Sequence, residues 1–303
     1  MLFTKMHGLG NSYVIFNQLE AEMDYQDYNQ LAQLVSDVNF GIGSDGMILI
    51  CSSDVADFQM RIFNVDGSEA KNCGNGLRCV AKILFDQKYA TKSPFTIETL
   101  GGVMSVELDV DNEKHVQYIT VDMGEPKLLK NKIPMRGDPF TFAIDEPHSF
   151  EGEVYRITCV SMGNPHAIMF VDDVNEVLLE KIGPEIENSD LFPNRINVGI
   201  VHVKNSREID YRVWERGSGI TMACGTGACA AVVAATLNHM IDRHLPITVH
   251  LPGGDLTVSW DEHGRVWKRG KATYICQGEL DRDIYIIGSM IDDGNDFRQN
   301  GRG

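Results

Sequence analysis

The stretch Arg61–Gly76, RIFNVDGSEAKNCGNG, has a second version in the same chain at Arg212–Gly227, RVWERGSGITMACGTG. In both, a strand-like run leads from an arginine to Cys-Gly-x-Gly with the same arginine-to-cysteine spacing, so the two align without a gap. Downstream, PFTIETLGGVMSVEL from Pro94 returns as PITVHLPGGDLTVSW from Pro246, one residue out of step with the first match. Solenoid repeats are far shorter, and this period marks a unit of roughly 120 to 150 residues duplicated within one chain. Two such halves are expected to pack about a pseudo-two-fold axis, bringing Cys73 and Cys224 to either side of a cleft and a bound molecule.

Outward from the repeat, KMHGLGNSYVIFN (Lys5–Asn17) reads as a glycine turn feeding an apolar strand, and Leu31, Leu34, Val35 and Val38 keep helical spacing up to a stop at Gly41. MILI and FQMRIFNV read as strands. After Cys73, Leu77, Val80, Ala81, Leu84 and Phe85 mark an amphipathic helix; after Cys224, ACAAVVAATL is apolar on every face, as in a helix buried all round. Short strands at YITVDMG, YRITCVSMG, HAIMFV and INVGIVHV, with Gly and Pro between them, favour antiparallel pairing. The expected fold is therefore α+β, with two pseudo-symmetric domains, each a curled, mostly antiparallel, barrel-like sheet around a central helix. Residues 1–120 plus about 270–288 form the first, 121–269 the second, and 289–303, which includes DDGNDFRQNGRG, reads as a solvated tail.

The chain has 303 residues, 43% hydrophobic and 23% charged, which suits two ordinary globular domains. A net charge of -16 argues against nucleic acid and anionic membrane as partners, since both need a basic face. MLFTKMHGLGN lacks the apolar core of a signal peptide, and no run approaches the ~18 apolar residues of a membrane span, so a cytoplasmic protein is expected. Seven cysteines in a reducing compartment do not read as a disulfide framework, and no histidine stands at zinc-ligand spacing from a cysteine. Cys51, Cys79, Cys159, Cys229 and Cys276 read as small buried apolar side chains.

Cys73 and Cys224 read differently. The thiolate is the reactive form of cysteine, and a helix N-terminus favours it through unpaired N–H groups and the dipole. Gly74, Gly76, Gly225 and Gly227 let a ligand approach that backbone. Two such sites suit a carboxylate whose neighbouring carbon gains charge as it loses a proton. One thiolate removes the proton, the other thiol returns one to the opposite face, and the centre inverts. A single Cys-Gly-x-Gly is more often a tight turn over a buried thiol; its recurrence at duplicated positions is what points to chemistry.

With these residues assembled, the chain resembles the diaminopimelate epimerase family of cofactor-independent amino-acid racemases, through KMHGLGN, FGIGSDG, RIFNVDGSEAKNCGNGLRC, SMGNPHA, FPNRINVGIV, ERGSGITMACGTGACAA and LPGGDLTV, to about Gly278. The resemblance implies that Cys73 and Cys224 exchange the roles of acid and base and that His166 and Glu215 assist them, a histidine being able to take a thiol proton near neutral pH. It assigns the distal end of the substrate to Asn64, Asn164, Asn197 and Arg216, with Asn11 nearby, and the proximal carboxylate to N–H groups of Gly74, Asn75, Gly225 and Thr226. It further implies a small-molecule amino-acid substrate, no metal, no cofactor, a homodimer, and service in lysine and cell-wall precursor synthesis. Ser12 and Gly46 depart from the familiar pattern, which often has aspartate and sometimes glutamine there, and the stretch after about Leu280 has no counterpart. The same chemistry on lanthionine or histidine, a Cys73/Cys224 redox switch, and an isomerase of this fold using carboxylates are the alternatives.

Overall fold

The run GMILIC is buried at nearly every position, and a strand apolar on both sides needs cover on both faces. The computed structural model, which describes residues 1–20, 27–71 and 73–281, supplies that cover with helices. Its described residues divide into two units, one within 1–106 together with 272–281, and the other Glu107–Lys271.

In the first unit β1 (Leu2–Gly8), β2 (Asn11–Asn17), α1 (Tyr28–Ser36), β3 (Gly46–Cys51), β4 (Phe58–Asn64), β5 (Glu69–Ala70), α2 (Gly74–Asp86), β6 (Phe95–Thr99) and β7 (Gly102–Val110) follow one another. The strand Thr273–Glu279 lies antiparallel to β1, and the ladder continues β1, β2, β3, β4, β6, β7, with the short β5 folded back on β4. The parallel pairs are β2 with β3 and β4 with β6. Parallel neighbours need a crossover, and α1 and α2 are those crossovers. Leu31, Leu34 and Val35 of α1 pack with Val14, Phe16, Met47, Leu49 and Phe63, while α2 lies against β1, β2 and β4.

The second unit repeats this order. Its elements are β8 (Val116–Asp122), β9 (Glu146–Phe150), β10 (Glu153–Ser161), β11 (Pro165–Phe170), α3 (Leu179–Glu187), β12 (Asn197–Asn205), β13 (Glu208–Glu215), β14 (Gly219–Ile220), α4 (Gly225–Leu237), β15 (Ile247–Leu251), β16 (Gly254–Trp260) and β17 (Val266–Gly270). The ladder runs β9, β10, β11, β12, β13, β15, β16, β17, β8, and its parallel pairs, β11 with β12 and β13 with β15, again enclose a helix. The duplication read from the two Cys-Gly-x-Gly segments is thus a duplication of topology. Even the hairpin glycines match: Gly102 and Gly254 take φ +123° and +126°, a region that side-chain-bearing residues avoid.

Helix α4 touches β10–β13 and β15–β17, and every residue from Gly227 to Ala235 is buried, so the sheet curls round it. The α+β reading of curled sheets stands, and the sheets curl without closing: among the described residues, no pairing joins the outer strands of either ladder. Three points differ from the sequence reading. Helix α1 stops at Ser36 and leaves Val38 81% exposed, because Asp37 turns extended and its carboxylate accepts the N–H groups of Asn39 and Phe40. Strand β8, which straddles the expected boundary at 120, pairs with β17 of the second unit. Finally, Cys79, Cys159 and Cys229 are buried, but Cys51 is half-buried and Cys276 exposed, the latter on a strand that pairs with β1 alone and shows most of its residues to solvent. The tail expected at 289–303 lies outside the described residues.

Candidate active site

Both motif cysteines occupy the position before a helix, Cys73 ahead of α2 and Cys224 ahead of α4, with extended φ/ψ of -148°/106° and -109°/107°. Helices are usually capped there by Ser, Thr, Asp or Asn, whose oxygen accepts an N–H two or three residues on. Here sulfur does so: Cys73 Sγ accepts from Gly76 N–H and Cys224 Sγ from Gly227 N–H, each at 3.4 Å. A thiol is a poor acceptor and a thiolate a strong one, so the cap gains strength when the sulfur ionises. The helix start sacrifices cap stability for a bond that favours the reactive form.

Around Cys224 the second unit gathers most of the expected residues. Thr226 Oγ1 lies 3.5 Å from the sulfur, and His166 Nε2 lies 3.2 Å from both Thr226 Oγ1 and Asn164 Oδ1. The Asn164 oxygen only accepts, so Nε2 carries the ring hydrogen; Thr226, accepting from it, is left to donate to the sulfur. Asn197 pairs with His166 across the parallel β11–β12 ladder and is 3% exposed. Its amide donates to Pro165 O at 2.7 Å and accepts Arg216 N–H at 2.9 Å, fixing the turn that carries Glu215 and Arg216. Thr221 Oγ1 donates to Glu215 Oε1 at 2.5 Å, and Arg216 Nη1 donates to Asn194 O at 2.7 Å. Burial first, and then the Glu215 carboxylate, push the Cys224 thiol well above its ordinary range, with Thr226 and the Gly227 N–H working against them. Cys224 is a thiol at neutral pH.

His166 stands near the start of β11. It is wholly buried, and burial followed by the Arg216 cation lowers it to about 3. The ring is neutral near pH 7, with Nε2 within hydrogen-bonding distance of both Thr226 and Asn164. Its Nδ1 has no partner among the described residues. In the unfolded chain the same ring titrates near 6.5. As pH falls from there toward 3 the unfolded chain takes up a proton that the native state refuses, so native stability is lost at up to about 1.4 kcal/mol per pH unit. His166→Gln removes that contribution, and its urea midpoint is expected to fall less steeply than that of the wild type between about pH 6 and pH 4. Parallel slopes would mean that the native ring is protonated.

In the first unit Cys73 stands with Tyr13, whose hydroxyl is 2.8 Å from Sγ, and with Asn11, whose Oδ1 accepts from Tyr13 Oη and, at 3.3 Å, from Asn75 Nδ2. Gly74 O accepts Arg78 Nη1 at 3.3 Å. Asn64 is not drawn into this network: it is exposed at the end of β4, opposite Gly46, and donates to Ser68 Oγ at 3.0 Å within the β4–β5 turn.

Sequence reasoning missed four residues here. Tyr13 looks like one more apolar strand position in NSYVIFN. Tyr211, 1% exposed, places its hydroxyl beside the start of α4, where a Cβ on Gly227 would lie 2.2 Å from it and 3.2 Å from Cys224 Sγ. The inward alternation of Ile209, Tyr211 and Val213 signalled burial but not that neighbour. Arg78 and Lys268 are wholly buried cations beside Gly74 and Gly225, where cationic residues in a strand and a helix gave no signal. Among the described residues no group of three or more His, Cys, Asp and Glu could hold a metal ion, and no helix is long and apolar enough to cross a membrane.

Comparison with known proteins identifies the family. A family model described as diaminopimelate epimerase matches residues 3–129 and 158–275. The diaminopimelate epimerase of Bacillus cereus is 52% identical over 282 residues, 93% of this chain and 98% of that protein. Among solved structures, a probable proline racemase from Agrobacterium radiobacter with bound carbonate is similar at TM-score 0.68 and 12% identity, over 93% of both chains. A hydroxyproline epimerase from Agrobacterium vitis with bound trans-4-hydroxy-L-proline is similar at TM-score 0.67 and 13% identity, over 92% of this chain and 90% of that one. These two speak for the fold alone. The near full-length match to the family, together with two cysteines that cap equivalent helices in a duplicated topology, establishes that the chain belongs to the diaminopimelate epimerase family.

Proposed function

We propose that the protein is an isomerase interconverting L,L-2,6-diaminopimelate and its meso form by proton removal and return at one α-carbon. The observation that carries this reading is that each repeat places a cysteine before a helix with its sulfur in the position of the usual oxygen cap, in a chain 52% identical to a diaminopimelate epimerase. N–H groups of Gly74, Asn75, Gly225 and Thr226 bind the carboxylate next to the reacting carbon, where the helix starts favour negative charge. Asn11, Asn64, Asn164, Asn197 and Arg216 hold the second amino-acid head, the guanidinium through paired hydrogen bonds to its carboxylate.

In one direction of reaction Cys224, whose proton is held by burial and by the Glu215 carboxylate, is the acid and Cys73 the base. As the α-C–H bond breaks, its electron pair stays on carbon, delocalised into the carboxylate, and an S–H bond forms on Cys73. The Cys224 S–H then gives its proton to the opposite face of the planar carbon, inverting the centre. Reaction in the other sense exchanges the roles, and Glu215 and the His166–Thr226 pair bias the Cys224 proton from either side. All proton bookkeeping is met by the two sulfurs without metal or cofactor. The protein acts as a cytoplasmic homodimer in lysine and cell-wall precursor synthesis.

The reduced protein incubated with L,L-diaminopimelate in deuterated water, with L,L-lanthionine in parallel, tests the reading by NMR of the α-hydrogen. Deuterium entry at the inverted centre with formation of the meso product is expected. Faster exchange with lanthionine would reassign the substrate, and no exchange with either would overturn the epimerase reading.

A further inference from the structure

Tyr13 is 4% exposed, and its hydroxyl meets two groups of the first unit, Cys73 Sγ at 2.8 Å and Asn11 Oδ1. A phenol has one hydrogen and can donate it once. The Asn11 oxygen only accepts, and Asn75 Nδ2 gives it a second donor at 3.3 Å. Two arrangements therefore satisfy the cluster. With Cys73 as a thiol, Tyr13 donates to Asn11 Oδ1 and the S–H donates to the phenol oxygen. With Cys73 as a thiolate, the phenol hydrogen turns to the sulfur, which also accepts Gly76 N–H at 3.4 Å, and Asn11 Oδ1 keeps its bond from Asn75.

We propose that Tyr13 is a positioning residue for Cys73, its hydroxyl turning from Asn11 to the sulfur as the cysteine passes from thiol to thiolate, so that both forms required for proton exchange at carbon stay hydrogen-bonded. No proton leaves the phenol. When the α-C–H bond breaks and the S–H bond forms, the phenol hydrogen swings back to Asn11, and the reverse step restores it. Asp45 and Cys79 are the other titratable groups that face Tyr13, and Arg78 stands beside Gly74 and Cys79. Burial, followed by the neighbouring Cys73 charge, holds the Tyr13 phenol well above its ordinary range, so it remains a donor throughout the working pH range. An apolar strand residue of the same shape would fill the site equally well but leave a thiolate with the Gly76 N–H alone among these donors.

The proposal takes its purpose from the epimerase reading, but its test reads the state of the sulfur and not turnover, so the two can fail separately. Tyr13→Phe keeps the ring and deletes the hydroxyl. Alkylation of Cys73 by iodoacetamide, followed on the Cys73 peptide by mass spectrometry from about pH 6 to pH 10, reports the thiolate. In Tyr13→Phe the alkylation profile is expected to move to higher pH, with a rate near pH 7.5 lower by about tenfold, the share of one hydrogen bond to a charged group. Epimerisation should show the loss in kcat with KM little changed. Coincident alkylation profiles for the two proteins would overturn the proposal. Should Tyr13→Phe fail to fold, wild-type protein carrying 13C at the tyrosine ζ position decides. One tyrosine signal should shift as Cys73 titrates, without reaching the phenolate position, and should lose that step in Cys73→Ala; absence of such a signal overturns the proposal equally.

Discussion

Cys73→Ala and Cys224→Ala are each expected to lose inversion by about 10²- to 10⁴-fold or more, the contribution of a positioned acid or base to proton transfer. The loss should be nearly all in kcat, because the carboxylate donors are backbone N–H groups that either substitution leaves in place. Removing the sulfur also removes a cap, which costs helices about 0.5–2 kcal/mol when the cap is an oxygen and less for a weaker thiol acceptor. Both variants should therefore fold, and a thermal melt beside the assay separates inactivity from unfolding. The two differ in one informative respect. Cys224→Ala keeps the Cys73 base and should still exchange the α-hydrogen with deuterated solvent, slowly and without inversion. Inversion persisting in either variant would remove the two-thiol scheme.

Gly227→Ala carries the second large effect. Alanine at a helix position is ordinarily better than glycine by up to about 1 kcal/mol. Here the added Cβ would stand 2.2 Å from Tyr211 Oη, 3.0 Å from its Cζ and 3.2 Å from Cys224 Sγ. Tyr211 is enclosed in the core and α4 is buried from Gly227 to Ala235, so neither can yield freely. Overpacking of this kind costs about 1–3 kcal/mol, and a shift of the sulfur on the order of 1 Å costs about 10²-fold in rate. Adding Tyr211→Phe to Gly227→Ala deletes the nearest atom and should recover part of the melting temperature, while kcat stays low because the contact with the sulfur remains. Wild-type stability and activity in Gly227→Ala alone would show that the helix start has room that the structure does not give it.

Glycine and tyrosine at this site were unequally legible in the sequence. Gly227 is part of a motif printed twice, so its importance could be read without knowing what lies over it. Tyr211 could be read as inward-facing from the alternation of β13, and no further, because which helix it meets depends on the crossover that brings α4 back across the sheet. Tyr13 was hidden by the same logic: its ring satisfies the strand pattern, and only its hydroxyl distinguishes it from phenylalanine. His166 was placed at the site by resemblance, but its neutrality follows from complete burial and from Arg216, neither of which a histidine after Asn-Pro announces. Val38 continued the apolar spacing of α1 on paper, yet Asp37 ended the helix by taking the next two N–H groups for its own side chain.

The sequence by itself determined the duplication, the two cysteines placed ahead of helices with their glycines, the largely buried helix after Cys224 and the α+β class. These are properties of spacing and periodicity, which local chain geometry converts directly into faces and turns. The tertiary structure decided what those local elements could not carry: that β8 pairs with β17, that the curled sheets stay open, that Cys224 rests as a thiol and His166 as a neutral donor, and that a phenol stands against Cys73. Strand partners and proton affinities depend on which distant groups come into contact and how much water they exclude, and both arise only when the chain has folded.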